Sequence, residues 1–193
     1  MKFALIASHA ESVINFRSNL IKSLKNKSVE VHVIIPHLSS NNIAIKSRIE
    51  EIGASVHEVR MNRTSLNPIL DFITLLEFLV VLWKIKPDYI LAYTIKPIIY
   101  GMLAAKIIGI KYRFALITGL GSVFNEGNSV KNKLLLILVK YMYRFSLLNI
   151  SKVFFQNPDD MSFFCNHKIT YLLQSCVVNG SGVDLGYYNF STP

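Results

Sequence analysis

Short apolar runs of five to seven residues recur along the chain, each separated from the next by a longer stretch with helical spacing. This alternation restricts the fold more than any other feature, because strands interleaved with helices imply crossover connections and a parallel sheet. Phe3–Ala7, Val29–Ile35 (closed by Pro36), Ser55–Val59, Tyr89–Tyr93, Tyr112–Ile117 and Lys152–Gln156 read as strands, and Tyr171–Val178 carries a seventh. They are near-continuous apolar runs, the pattern of strands covered on both faces. Between them, Val13, Phe16, Leu20, Ile21 and Leu24 repeat at helical spacing over Val13–Lys27, with Ser12 as a candidate cap. Further helices are expected over Ile43–Ile52, ended by Gly53, from Pro68 to Lys86, and over Pro97–Ile108, Lys131–Asn149 and Pro158–Cys165. The expected fold class is α/β: a mostly parallel sheet of about seven strands with helices on both faces.

A length of 193 residues suits one domain, and with 51% hydrophobic and 17% charged residues disorder is not expected. Two cysteines, Cys165 and Cys176, without CxxC spacing argue against a zinc site or a disulfide framework and fit a reducing cytosol. Met1–Ala7 is too short an apolar run for a signal peptide. The net charge of +9 suits either nucleic acid or an anionic membrane leaflet. High apolar content and the lack of dense Lys/Arg runs favour the membrane, so no nucleic-acid partner is expected. Ile69–Trp83 is interrupted by Asp71 and Glu77, and Leu134–Leu148 by Lys140 and Arg144, so neither meets the roughly 20 apolar residues of a spanning helix. Burial ranks ahead of membrane contact for these helices, and Phe72, Phe78, Tyr141 and Phe145 are read first as core.

Ligands of open parallel sheets bind beyond the carboxyl ends of the strands. That rule selects the loops Ser8–Glu11, Arg60–Asn67, Thr94–Pro97, Thr118–Asn125, Asn157–Asp160 and Asn179–Asp184. The first lacks GxGxxG, which argues against a nicotinamide or flavin enzyme. His9 there is either a base or hydrogen-bonding group, or a plain polar residue at the helix start. Arg17, next to Phe16, either grips a phosphate or carboxylate bidentately or lies solvated on the surface. Lys96 either neutralises a phosphate or faces solvent. Thr118-Gly119-Leu120-Gly121-Ser122 lets backbone amides approach a ligand, yet no GK[ST] follows to make a Walker A loop. Asp159 and Asp160 suit the start of a helix better than an acid/base pair.

Taken as a set, Asn15-Phe16-Arg17, Lys86-Pro87-Asp88 through Lys96-Pro97, Leu116 through Gly121, Phe155-Gln156-Asn157-Pro158-Asp159-Asp160 and Val178 through Asp184 resemble the N-terminal domain of glycosyltransferase family 4. That family has the GT-B fold of two facing Rossmann-like domains. The nearest subgroup is that of bacterial enzymes building capsule, O-antigen or lipid-linked oligosaccharides, bacillosaminyltransferase-like members included. The resemblance implies that residues 1–185 form the acceptor-side Rossmann-like domain and that residues 186–193 begin a link to a donor-binding domain, so that the chain is the acceptor-binding half of a retaining, nucleotide-sugar-dependent transferase, inactive alone. It also implies His9 and Thr118 in catalysis, and Ser8, Phe16, Arg17, Arg63, Asn67, Thr94 and Lys96 at the acceptor. Gly119, Gly121, Asn157, Gly180, Gly182 and Asp184 would line the cleft toward the donor. No metal or cofactor is implied, the nucleotide-sugar being a substrate. The implied partners are a polyprenyl-diphosphate-linked sugar, a donor-binding domain or chain, and the inner face of the cytoplasmic membrane, on which the basic, apolar long helices would lie. The alternative is a non-catalytic, membrane-docked acceptor subunit that recruits a separate donor-binding chain.

Overall fold

The computed structural model describes residues 1–38, 43–62, 65, 67–120 and 130–182. Seven strands, β1 (Lys2–Ile6), β2 (Glu30–Pro36), β3 (Ala54–Val59), β4 (Tyr89–Tyr93), β5 (Tyr112–Ile117), β6 (Lys152–Phe155) and β7 (Ser175–Val177), form one sheet in the order β3-β2-β1-β4-β5-β6-β7. Every pairing is parallel. Successive strands build outward from β1 to β3, and the chain then crosses back to lay β4 on the free side of β1, with Leu5 opposite Leu91 and Ile6 opposite Ala92. The direction of winding therefore reverses between β1 and β4, which opens a crevice beyond their carboxyl ends.

Alternation along β1 shows how the sheet divides its core. Leu5 and Ala7 join the cluster under α1 (Ala10–Asn26) and α2 (Ile43–Glu51), where Val13, Ile21 and Ile49 are fully buried. Ala4 and Ile6 face the opposite layer, built from α3 (Pro68–Ile85), α4 (Met102–Ile108), α5 (Val130–Ser146) and α6 (Pro158–Asn166). On the α1 side, β4 to β6 carry a ladder of Tyr89, Tyr112, Phe114 and Phe154, with stacked centroids 4.8 Å apart for Tyr89–Tyr112 and 6.3 Å for Phe114–Phe154. The described helices leave these rings partly exposed.

Several local expectations need correction. Ser12 does not cap α1: the helix begins at Ala10 after His9, which makes no side-chain cap, and the Ser12 hydroxyl donates to the His9 carbonyl at 2.6 Å. Pro36 is the last residue of β2 rather than its stop. The helix expected from Pro97 opens as a π-helical turn, Pro97–Gly101, before α4. Such a wide turn brings Gly101 against β1, where a Cβ would stand 2.7 Å from Ile6 Cδ1. Of the aromatics read first as core, Phe78 is fully buried, whereas Phe72, Tyr141 and Phe145 are exposed. An apolar helix lying on a sheet buries one stripe only, and α3 buries Thr74, Phe78, Leu82 and Ile85.

A buried ion pair ties α3 to the start of the π turn. Lys96 Nζ donates to Asp71 Oδ1 and to the Ser65 carbonyl at 2.6 Å, and Tyr100 donates to Asp71 Oδ2 at 2.9 Å. Burial, reinforced by its bond to Asp71, pushes the Tyr100 hydroxyl well above its usual pKa. Removing one partner of such a pair strands the other charge. Asp71→Asn is expected to cost about 3–5 kcal/mol in urea unfolding, and the Asp71→Leu/Lys96→Met double variant to recover most of that loss.

On β2 and β3, His32 Nδ1 lies 3.1 Å from His57 Nε2, and His32 Nε2 lies 3.0 Å from the Glu30 carboxylate. Desolvation lowers both pKa values, opposed at His32 by Glu30 and reinforced at His57 by its neighbours His32 and Lys46. Depressed histidines leave the folded state binding fewer protons than the unfolded chain, so stability present above about pH 6.5 is lost as pH falls toward the folded pKa values. The melting temperature is expected to drop from pH 7.5 to pH 5.5, with a shallower drop in His57→Gln, as read by thermal melts across that range.

Candidate functional site

The site grows from the ends of the two strands that flank the winding reversal. β1 delivers Ser8, and β4 delivers Thr94, whose hydroxyl donates to Ser8 Oγ at 2.7 Å. Thr94 adopts φ +70°, a left-handed conformation unusual outside glycine, at a cost of order 1–3 kcal/mol. One residue earlier, the Tyr93 hydroxyl meets Ser12 Oγ at 2.8 Å. Since Ser12 already donates to the His9 carbonyl, Tyr93 is the donor. Burial pushes the Tyr93 hydroxyl up to about 12, so it stays protonated at physiological pH.

A cavity of about 330 Å³ opens over these groups. It unites six of the expected residues, Ser8, His9, Phe16, Arg17, Thr94 and Thr118, which come from α1 and from the loops after β1, β4 and β5. Arg17 is not solvated, and among the described residues it is not ion-paired. It is 6% exposed, its guanidinium carbon sits 4.8 Å from the Tyr93 ring centroid, and Nη1 donates to the Phe16 carbonyl at 2.9 Å. Burial lowers its pKa, partly offset by Tyr93. Ser12, Tyr93, Gln156 and Ser181 also line the cavity, and the sequence reasoning missed them as site residues. Only the alternation along β4, which turns Tyr93 to the α1 side, was available to find Tyr93. The approach of Gln156 Nε2 to Ser181 Oγ, 2.8 Å, is a tertiary contact with no sequence signal.

His9 also faces a neighbouring cavity of about 550 Å³ that reaches Glu11, His37, Arg60 and Asn62, above an apolar floor including Met61, Leu70 and Ile73. Its Nδ1 lies 2.9 Å from Glu11 Oε2, so the carboxylate orients the ring. An imidazole so held has the geometry of a general base for a hydroxyl bound in either cavity.

Other expected residues are already engaged elsewhere. Lys96 is buried against Asp71, so its charge is matched within the fold. Asn67 is the N-cap of α3, accepting from the amides of Ile69 at 2.9 Å and Leu70 at 3.5 Å. Asn157 caps α6, accepting from the Asp160 amide at 2.7 Å while Nδ2 donates to Asp160 Oδ2 at 2.9 Å. Gly119, Gly180 and Gly182 have φ of +144°, +72° and +69°, backbone that disfavours side chains, at the loops after β5 and β7. Arg63, Gly121 and Asp184 lie outside the described residues. Among the described residues no three His, Cys, Asp or Glu side chains converge as a metal site.

This arrangement has relatives. The family model described as "Glycosyl transferase 4-like" matches residues 2–157. Over 185 residues the chain is 28% identical to the N,N'-diacetylbacillosaminyl-diphospho-undecaprenol alpha-1,3-N-acetylgalactosaminyltransferase of Campylobacter jejuni, covering 96% of this chain and 47% of that protein. Among solved structures, a glycosyltransferase from Rickettsia africae aligns with a TM-score of 0.65 at 17% identity, over 97% of this chain and 45% of its own. Acinetobacter baumannii MurG aligns with a TM-score of 0.57 at 12% identity, over 95% and 46%. The chain thus spans about half the length of the relatives it matches. With the parallel sheet, its winding reversal and the family match over most of its length, the chain belongs to the glycosyl transferase 4-like family and folds as the Rossmann-like N-terminal domain of a GT-B glycosyltransferase.

Proposed function

We propose that this domain presents the acceptor in a retaining, nucleotide-sugar-dependent glycosyltransferase that builds bacterial surface polysaccharide or lipid-linked oligosaccharide, opposite a donor-binding domain or chain. The observation that carries this reading is the polar cavity at the β1/β4 reversal, bordered by the His9–Glu11 pair. The acceptor is a polyprenyl-diphosphate-linked sugar, in keeping with the diphospho-undecaprenol substrate named for the Campylobacter relative. His9 takes the proton of the acceptor hydroxyl, Glu11 holds the imidazole, and Thr118 contacts the reacting sugar. The nucleotide-sugar enters as a substrate from the donor side. When the chain is combined with a donor-binding half, radiolabelled sugar is expected to pass to a polyprenyl-diphosphate-linked acceptor. His9→Ala should then lower kcat about 10²–10⁴-fold. Unchanged turnover in His9→Ala would overturn this role.

The outer layer supports docking on the inner face of the cytoplasmic membrane. No described helix is long and apolar enough to cross a bilayer. Yet α3 exposes Ile69, Phe72, Val80 and Trp83, and α5 exposes Leu134, Ile137, Tyr141 and Phe145. Between them α4 exposes Ile107, and Lys106 lies 4.4 Å from the Phe145 ring centroid. Neither α4 nor α5 contains an acidic residue, and both acids of α3 are engaged, Asp71 by Lys96 and Glu77 by Arg60. Such a surface, apolar and cationic, matches an anionic interface, where each Lys or Arg contributes about 1 kcal/mol. The chain is expected to co-sediment with phosphatidylglycerol vesicles and far less with phosphatidylcholine alone. Trp83→Asp/Tyr141→Asp should reduce that binding roughly tenfold, a loss of about 1.4 kcal/mol. Equal sedimentation of variant and wild type would remove the docking surface from the proposal.

A further inference from the structure

Among the described residues two buried arginines, Arg17 and Arg113, meet no carboxylate, and Arg17 is the one of the two that lines the cavity at the β1/β4 reversal. Arg113 donates from Nη2 to the Asn149 carbonyl just past the end of α5, leaves Nε and Nη1 without partners and lines neither cavity described above, while Lys96 meets Asp71. Arg17 meets no carboxylate among the described residues, its Nε has no hydrogen-bond partner, and the residue is 6% exposed. Desolvating a guanidinium in this way is unfavourable unless an anion arrives. Arg17 lies about two turns into α1, and helical side chains slant toward the N-terminus. It lines the same cavity as Ser8, His9 and Ser12, which surround the start of that helix.

That helix start lacks a side-chain cap, so its first amides offer positive potential and open donors to the cavity. The remaining polar lining consists of neutral hydroxyls and an amide, Thr94, Thr118 and Gln156 among them, with no Asp or Glu. The Tyr93 ring beneath the guanidinium holds its plane and keeps it from swinging to solvent.

We infer that Arg17 and the first turn of α1 form an oxyanion receptor for a phosphate or diphosphate group, in place of a glycine-rich loop at this strand end. Resting on the acceptor-side reading, the group belongs to the diphosphate of the lipid-linked acceptor. The same chemistry is offered by the diphosphate of the donor nucleotide, and the experiment separates the two.

The test uses the whole chain, with inorganic pyrophosphate as the probe in titration calorimetry. Wild type is expected to bind, and Arg17→Met to bind at least tenfold more weakly. Because the arginine is uncompensated, Arg17→Met should melt no lower than wild type without ligand, a result that a purely structural arginine would not give. Arg17→Lys keeps the charge but loses the planar fork, and should bind at least threefold more weakly. It carries the test if Arg17→Met fails to fold. Absence of pyrophosphate binding by wild type, or equal binding by wild type and both variants, overturns the inference. Geranyl diphosphate and UDP then compete against pyrophosphate. A stronger effect of geranyl diphosphate assigns the site to the acceptor. Stronger, Arg17-dependent competition by UDP keeps the oxyanion receptor and overturns the acceptor-side reading instead.

Discussion

Parallel pairing of β4 with β1, on the edge that β2 leaves free, is the constraint from which the rest of this molecule follows. It sends the chain across the sheet once, through α3, and leaves the loops after β1 and β4 diverging to opposite faces. The resulting crevice is held by short polar contacts, Thr94 to Ser8 and Tyr93 to Ser12, each linking segments some 80 residues apart in sequence. Thr94 tolerates a left-handed backbone there because its hydroxyl and the following π turn are both pinned. Strain of that kind persists where surrounding packing over-determines the backbone, and it is found preferentially at binding sites.

Charge is treated differently on the two sides of the crevice. On the α3 side, Lys96, Asp71 and Tyr100 form a satisfied network that fixes α3 to the π turn. On the α1 side, Arg17 has, among the described residues, an aromatic platform and a backbone carbonyl but no carboxylate. The first arrangement is structural, since each charge is answered internally. The second leaves an electrostatic deficit facing a cavity, and that difference separates Arg17 from Lys96 although both stood as phosphate candidates in the sequence. Outside the crevice, the strongly apolar α3 and α5 meet two environments at once, with Phe78 and Tyr143 in the core and Trp83 and Tyr141 in solvent.

Much of the fold was legible in the sequence. β4 and β5 fall at the residues expected, and the other strands shift by one or two positions, except for β7, which is shorter than its segment. Apolar runs bounded by Pro, Gly and Asn leave little freedom for a strand covered on both faces. The π turn was not legible, because its register depends on Gly101 fitting against Ile6 across the sheet. Nor was the exposure of Phe72, since α3 is apolar on nearly all sides and periodicity then cannot choose which stripe is buried. The start of α1 was misplaced because Ser12 is a good capping residue by type, yet the helix continues back to Ala10, where the loop from β1 ends.

At the candidate site, the sequence alone pointed to the loops at one end of the sheet, because parallel strands place their ligands there and the strands were identifiable from composition and spacing. It also determined the residue types available there: hydroxyls, a histidine, an arginine, and no glycine-rich phosphate loop. Tertiary structure decided which of them line one cavity. Lys96 and Asn67 were withdrawn into an ion pair and a helix cap, while Tyr93, Gln156 and Ser181 were brought in. The physical reason is that hydrogen-bond partners and burial are set across the sheet, between segments that sequence spacing does not relate. Whether a buried cation meets a carboxylate or an open cavity is decided there and nowhere along the chain.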